Sequence, residues 1–320
     1  MKRRDFIKAT AIAVPAISLF PADLSGISRN ILPGQIEKRS LGRTGEMLSM
    51  IGFGGIVVMD ATPEEASQRV KLAIDSGINY FDVAPSYGDA EIKLGPALEP
   101  YRRNVFLACK TGKRTKVEAR AELEQSLKRL RTDHLDLYQF HAVTTLADVN
   151  TILGPGGAME TFLEARKEGK IRFIGFSAHS VEAAMALMDR FDFDTILFPI
   201  NYTTWNAANF GPQVLARARE KKMGILALKA MAKGPWPKGA DRSKYPKCWY
   251  EPLTDQEDIR MGLRFTLSHP VTAAVPPGEA DLFRMALNVS ARLQPLKDEE
   301  VQMMKEKALK GTPLFTYSGT

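Results

Sequence analysis

The chain has 320 residues, 44% hydrophobic and 25% charged, which fits one large globular domain or two small ones, and α/β barrels reach this size as one domain. Of the net charge of +7, residues 1–34 contribute +3 (Lys2, Arg3, Arg4, Lys8 and Arg29 against Asp5 and Asp23), leaving about +4 for the remainder. The longest basic cluster, Lys110–Lys116, is short and lacks interleaved aromatics, so a solvated face explains the charge and a nucleic-acid surface is excluded.

The N-terminus reads as an export signal. A basic head, Met1-Lys-Arg-Arg-Asp-Phe-Ile-Lys8, precedes the apolar stretch Ala9–Phe20 and then Pro21 with small residues. Arg3-Arg4 followed by a polar residue, Phe6 and Ile7 resembles the bacterial twin-arginine signal, which implies export to the periplasm by that machinery, with cleavage somewhere in 20–34. If uncleaved, the segment is a membrane tether. It is too short and too proline-broken for a spanning helix, and no internal stretch reaches the roughly 18 apolar residues that spanning requires. Residues 1–34 are therefore read as signal and linker, and 35–320 as one domain.

The domain begins with Ile36–Leu41, a glycine-bearing loop Gly42-Arg43-Thr44-Gly45, and Met47–Met50, a pattern that predicts a β-hairpin closing the N-terminal mouth of the domain. Eight short apolar runs come next: Met50–Gly54, Ile78–Val83, Val105–Lys110, Leu135–His141, Ile171–Ser177, Thr195–Asn201, Gly224–Lys229 and Val271–Pro276. Each is nearly continuously hydrophobic, as parallel strands covered on both faces should be. Amphipathic helices separate them. Thr62-Pro63-Glu64-Glu65 is a capping box with proline at the first helical position; Ala66, Val70, Ala73 and Ile74 form one face, and Gly77 stops the helix. Leu123, Leu127 and Leu130 stripe the third helix, and Phe162, Leu163 and Arg166 precede Gly169 in the fourth. Eight runs with helices between them predict an α/β fold, a closed (β/α)8 TIM barrel. The long irregular stretch from Met231 to Asp255 holds Trp236, Trp249 and Tyr250, and reads as an ordered loop on the active-site rim.

In such a barrel the carboxyl ends of the strands converge on one mouth, where active sites lie. Asp82, Lys110 and His141 end the second, third and fourth runs, and Tyr87 follows Asp82 on the loop. The set suits carbonyl reduction, which needs a hydride on carbon and a proton on oxygen. A tyrosine titrates near pH ~10 and can donate a proton. The ammonium of Lys110 would lower its pKa, Asp82 would keep Lys110 charged, and His141 could orient the substrate oxygen. Positioned proton transfer of this kind contributes about 10²–10⁴ in rate.

The segments Phe81-Asp82-Val-Ala-Pro-Ser-Tyr87-Gly88, Ala108-Cys-Lys110-Thr, Asp136-Leu-Tyr-Gln-Phe-His141 and Gly175-Phe176-Ser177 resemble the signature blocks of the aldo-keto reductases. The resemblance covers residues 36–290. It implies Asp82, Tyr87, Lys110 and His141 as a catalytic tetrad, with NADP, or alternatively NAD, bound extended across the mouth. Several cofactor positions depart from the family pattern. Ser177 is followed by Ala178 where asparagine is usual, and Asn201 stands for a glutamine. Leu228 with Lys229 replaces a stacking aromatic, and Pro277-Gly278 a Lys-Ser pair. Ser177, Asn201, Lys229, Gly278, Arg284 and Asn288 are accordingly the cofactor candidates, with phosphate at the helix that opens near Gly278. Trp205, Trp236, Trp249 and Tyr250 are candidate walls for a small carbonyl, sugar or alcohol substrate.

His134, His179 and His269 are read as structural. Cys109 and Cys248 set no disulfide framework, and neither has a His or Cys at ligand spacing, so no metal site is expected. The alternative to an enzyme is a nucleotide- or ligand-binding barrel with a regulatory role.

Overall fold

A computed structural model describes residues 36–319 with the exception of 292, so the export-signal reading of 1–34 lies outside the described residues. The hairpin is present as β1 (Lys38–Ser40) antiparallel to β2 (Met47–Ser49). Next in the chain come β3 (Phe53–Gly54), β4 (Tyr80–Asp82), β5 (Phe106–Thr111), β6 (Leu135–Val143), β7 (Ile171–Ala178), β8 (Thr195–Pro199), β9 (Gly224–Leu228), a short pair β10 (Ala232–Gly234) and β11 (Glu251–Pro252), and β12 (Ala273–Val275). All eight predicted runs are strands, several trimmed at their ends. They pair in parallel in the order β12-β9-β8-β7-β6-β5-β4-β3, and a bridge between Ile51 and Ala274 closes the barrel.

Helices α1 (Pro63–Asp75), α2 (Ala90–Leu98), α3 (Lys116–Leu130), α4 (Leu146–Leu153), α5 (Ala158–Lys167), α6 (Val181–Arg190), α7 (Tyr202–Ala208), α8 (Pro212–Glu220), α9 (Gln256–Leu267), α10 (Ala280–Ser290) and α11 (Asp298–Leu309) make the outer layer. The capping box at Thr62 and Glu65 is formed on both sides. Where the sequence suggests one helix before Gly169, the crossover carries two: α4, capped by Thr145, precedes α5.

Alternation along the strands sorts side chains into two cores. Phe81, Cys109, Tyr138, Phe176 and Ile196 face outward and pack beneath the helices. Tyr80, Ala108, Leu137, Leu197, Leu226 and Ala273 face inward and fill the barrel, joined by Leu41 and Leu48 from the hairpin side. The hairpin thus plugs one end, as predicted. Gly42, at φ +53, lies so close that a Cβ there would stand 2.3 Å from the backbone nitrogen of Gly224. With that end sealed by apolar packing, only the carboxyl end of the strands is left for chemistry.

Candidate active site

Two residues further along the inward rows, the apolar layer gives way to polar groups. Tyr80 is followed by Asp82, Ala108 by Lys110, and Leu137 by Gln139 and then His141. Asp82 and Lys110 are 2% and 1% exposed and form an ion pair. Lys110 Nζ also donates to the Val83 carbonyl at 3.3 Å and to the Tyr87 hydroxyl oxygen at 3.3 Å. Burial alone would drive the lysine toward its neutral form, but Asp82, with Tyr87 and Cys109 acting in the same direction, outweighs it and the net pKa is raised. The second oxygen of Asp82 accepts from Tyr80 and from Gln139, each at 3.1 Å. Neither Tyr80 nor Gln139 is singled out by sequence: a polar residue inside an apolar run carries no signal until its neighbour across the barrel is known.

Tyr87 is reached by a turn in which its N–H donates to Ala84 O at 3.1 Å, and Gly88 follows at φ +57. Because its oxygen accepts from Lys110, its own proton is free to point into the mouth. Burial raises its pKa; Lys110 lowers it, as expected, but by less than burial raises it, and the net shift is upward. The phenol therefore stays protonated at neutral pH.

The imidazole of His141 stands edge-on to Tyr87, ring centroids 5.6 Å apart, with Nδ1 3.2 Å from Ser86 Oγ. Burial first, then the Lys110 charge, push its pKa down to about 3, so it is neutral at pH 7. Its backbone is held from both sides. Arg114 donates to the His141 carbonyl at 2.8 Å, and the Ala142 N–H, at φ +50 in a register shift of β6, donates to Ser177 Oγ at 2.8 Å. The four tetrad candidates are thus brought together, and Ser177 lies beside them.

The remaining candidates divide. Asn201 meets a competing role: its amide oxygen accepts from the N–H groups of Thr203 (3.1 Å) and Thr204 (2.9 Å), so it is committed to capping α7. Trp205 packs on His269, ring centroids 4.2 Å apart, rather than on the tetrad. Trp236 donates from Nε1 to Cys248 O at 2.8 Å, which, with the β10–β11 pairing, orders the 231–255 loop. Lys229, Trp249 and Tyr250 cluster together, the ammonium 5.0 and 4.7 Å from the two ring centroids. Gly278 is buried against Ile56, where a Cβ would stand 2.2 Å from a side-chain carbon. It opens the turn into α10, whose N-cap Glu279 makes no side-chain cap bond, while Arg284 and Asn288 lie exposed along that helix. Sequence reasoning missed Phe315, which stacks on His179 at 5.3 Å and meets Trp249 at 6.1 Å, because a C-terminal tail shows no periodicity.

Comparison with known proteins agrees with this geometry. A profile of the Aldo/keto reductase family matches residues 50–309. The oxidoreductase YqkF of Bacillus subtilis is 25% identical over 304 residues, covering 84% of this chain and 96% of the relative. L-galactose dehydrogenase of Arabidopsis thaliana is 24% identical, covering 80% and 88%. In fold, an aldo-keto reductase from Bacillus halodurans superposes with a TM-score of 0.68 at 23% identity, covering 89% of this chain and 99% of the other. Family profile, relatives and barrel agree: this chain is an oxidoreductase enzyme belonging to the aldo/keto reductase family, whose members use NAD(P)H.

Proposed function

We propose that the enzyme interconverts a small carbonyl compound, sugar or alcohol with its redox partner, using Tyr87 as the proton donor to the carbonyl oxygen. The observation that carries this reading is the Tyr87 oxygen accepting from Lys110 at 3.3 Å in the carboxyl mouth of the barrel, the end that the hairpin leaves open. The phenol proton is left for the substrate, and as it departs the phenolate forms beside a fixed ammonium. Asp82 holds that ammonium in place through an ion pair braced by Tyr80 and Gln139. His141, neutral, donates a hydrogen bond to the same substrate oxygen in the tautomer that protonates Nε2, Nδ1 being turned to Ser86.

The donors at one edge of the mouth fit a dinucleotide. The first-turn N–H groups of α10 lack side-chain caps, and Arg284, exposed and 3.6 Å from Asp281, would exchange that carboxylate for a phosphate one turn on. Gly278, Arg284 and Asn288 would hold that end, and Ser177 would lie near the nicotinamide. The bound cofactor, NADP by family habit, supplies the hydride. Incubating the protein with NADPH or NADH and a panel of aldehydes, ketones and sugars should consume the reduced nucleotide. No turnover with either nucleotide, but retained nucleotide binding, would favour the regulatory barrel instead.

For residues 1–34 we propose twin-arginine export to the periplasm. Replacing Arg3 and Arg4 by lysine should block export; unchanged export would overturn this.

A further inference from the structure

The mouth holds a cation that the hydride and proton transfers do not use. Lys229 directly follows β9 at φ +67, the left-handed region, a strained conformation for a lysine and one that gathers at ligand clamps. Its ammonium lies against the Trp249 and Tyr250 rings. Among the described residues no carboxylate acts on it. Burial pulls its pKa down to about 8, Lys110 acts in the same direction, and only the Cys248 thiol acts against them. Lys110, by contrast, is neutralised by Asp82. Trp249 in turn meets Phe315, ring centroids 6.1 Å apart, and Phe315 stacks on His179 at 5.3 Å, so Lys229 and His179 border one aromatic cluster; the Lys229 charge accordingly helps to lower the His179 pKa. His179 leaves β7 with its ring stacked on Phe315, and its buried Nε2 has no hydrogen-bond partner. A desolvated ammonium without a counter-ion, beside an imidazole nitrogen without a partner, is a site missing an anion.

We propose that Lys229, with His179 beside it, binds a carboxylate carried by the substrate, so that the preferred carbonyl compounds are acids such as oxo acids or sugar acids. The proposal rests on the oxidoreductase reading above and assigns its substrate class. A dinucleotide diphosphate is the other anion within the chemistry. It is separated from the hydride-bearing ring by a ribose, however, whereas Lys229 directly follows β9 at the carboxyl end of the barrel, the end at which Lys110 and His141 stand. The α10 terminus with Arg284 already suits phosphate. Trp249, 55% exposed, and Tyr250 form the wall between the cation and solvent, strengthening the ion pair by excluding water.

The test compares matched pairs: succinic semialdehyde with butanal, 4-carboxybenzaldehyde with benzaldehyde, and D-glucuronate with D-glucose. The native enzyme should favour the acid of at least one pair by about tenfold or more in kcat/KM, the worth of a charge-assisted hydrogen bond. Lys229→Met should abolish the preference through KM, and Lys229→Arg should restore part of it. The alcohol products of the same pairs, bound to nucleotide-loaded protein and followed by calorimetry, give a readout that needs no turnover. Lys229-dependent binding of the acid alcohols would uphold the site even if no carbonyl were reduced. Equal treatment of acids and neutral compounds by the native enzyme would overturn the proposal. So would a Lys229→Met variant that loses nucleotide affinity while keeping the acid preference, which would assign the cation to the diphosphate.

Discussion

Lys110 Nζ donates to the hydroxyl oxygen of Tyr87 at 3.3 Å while paired with Asp82 on its other side. In the proposed reduction one lysine therefore both positions the proton donor and stabilises the phenolate left behind. Tyr87→Phe keeps the ring and removes only the hydroxyl. It should lower kcat for carbonyl reduction by about 10²–10⁴, with nucleotide affinity unchanged in a fluorescence titration. A decrease of less than tenfold would remove Tyr87 from the proton transfer.

Asp82→Asn leaves the Lys110 ammonium buried without its counter-charge. Breaking a buried pair from one side costs about 3–5 kcal/mol, to be read as a shift in the urea midpoint. The double variant Asp82→Asn with Lys110→Met removes both charges and should recover much of that stability while remaining inactive.

The histidines set the pH response. His141 and His179 have pKa values pushed down to about 3 and about 4 from the ordinary 6.5. The pH profile of kcat/KM for reduction should therefore show no inflection near 6.5. Between the folded and unfolded values the unfolded chain binds more protons, so stability falls as the pH drops below about 6.5 and is lost progressively toward 3–4. Denaturant midpoints measured from pH 7 down to pH 4 check the sign; a midpoint that rises on acidification would contradict it.

Ser177→Ala removes the acceptor of the Ala142 N–H in the register shift that follows His141. A stability loss of about 1 kcal/mol is expected from the lost hydrogen bond. If Ser177 also steadies His141, kcat falls more than KM rises; a change in nucleotide affinity alone would make it a cofactor contact.

Arg284→Ala should raise KM for NADPH more than for NADH, since the extra phosphate of the former is the stronger partner for an exposed guanidinium. Equal effects on the two would place Arg284 away from that phosphate.

Much of this site was readable from residue order because barrel strands are buried on both faces and announce themselves as unbroken apolar runs. A buried lysine or aspartate ending such a run then stands out, and Asp82, Lys110 and His141 did so together. Asn201 was ambiguous because a position beside a strand end fits either a ligand contact or a helix cap, and only the structure shows its amide oxygen capping α7 through the N–H groups of Thr203 and Thr204. Trp205 was ambiguous for a similar reason: an aromatic suits a substrate wall and a helix packing face equally well, and the structure shows it packed on His269.

Residue order by itself determined the eight strands, the plugging hairpin and the identity of the groups at the strand ends, since these are dictated by hydrophobic period and local turn chemistry. Only the tertiary structure decided the electrostatics. The net rise of the Tyr87 pKa, the neutrality of His141 and the lowered pKa of Lys229, on which no carboxylate acts among the described residues, depend on how far each group is withdrawn from water and which charge stands beside it. Those distances are set by strands far apart in the chain meeting at one end of a closed barrel.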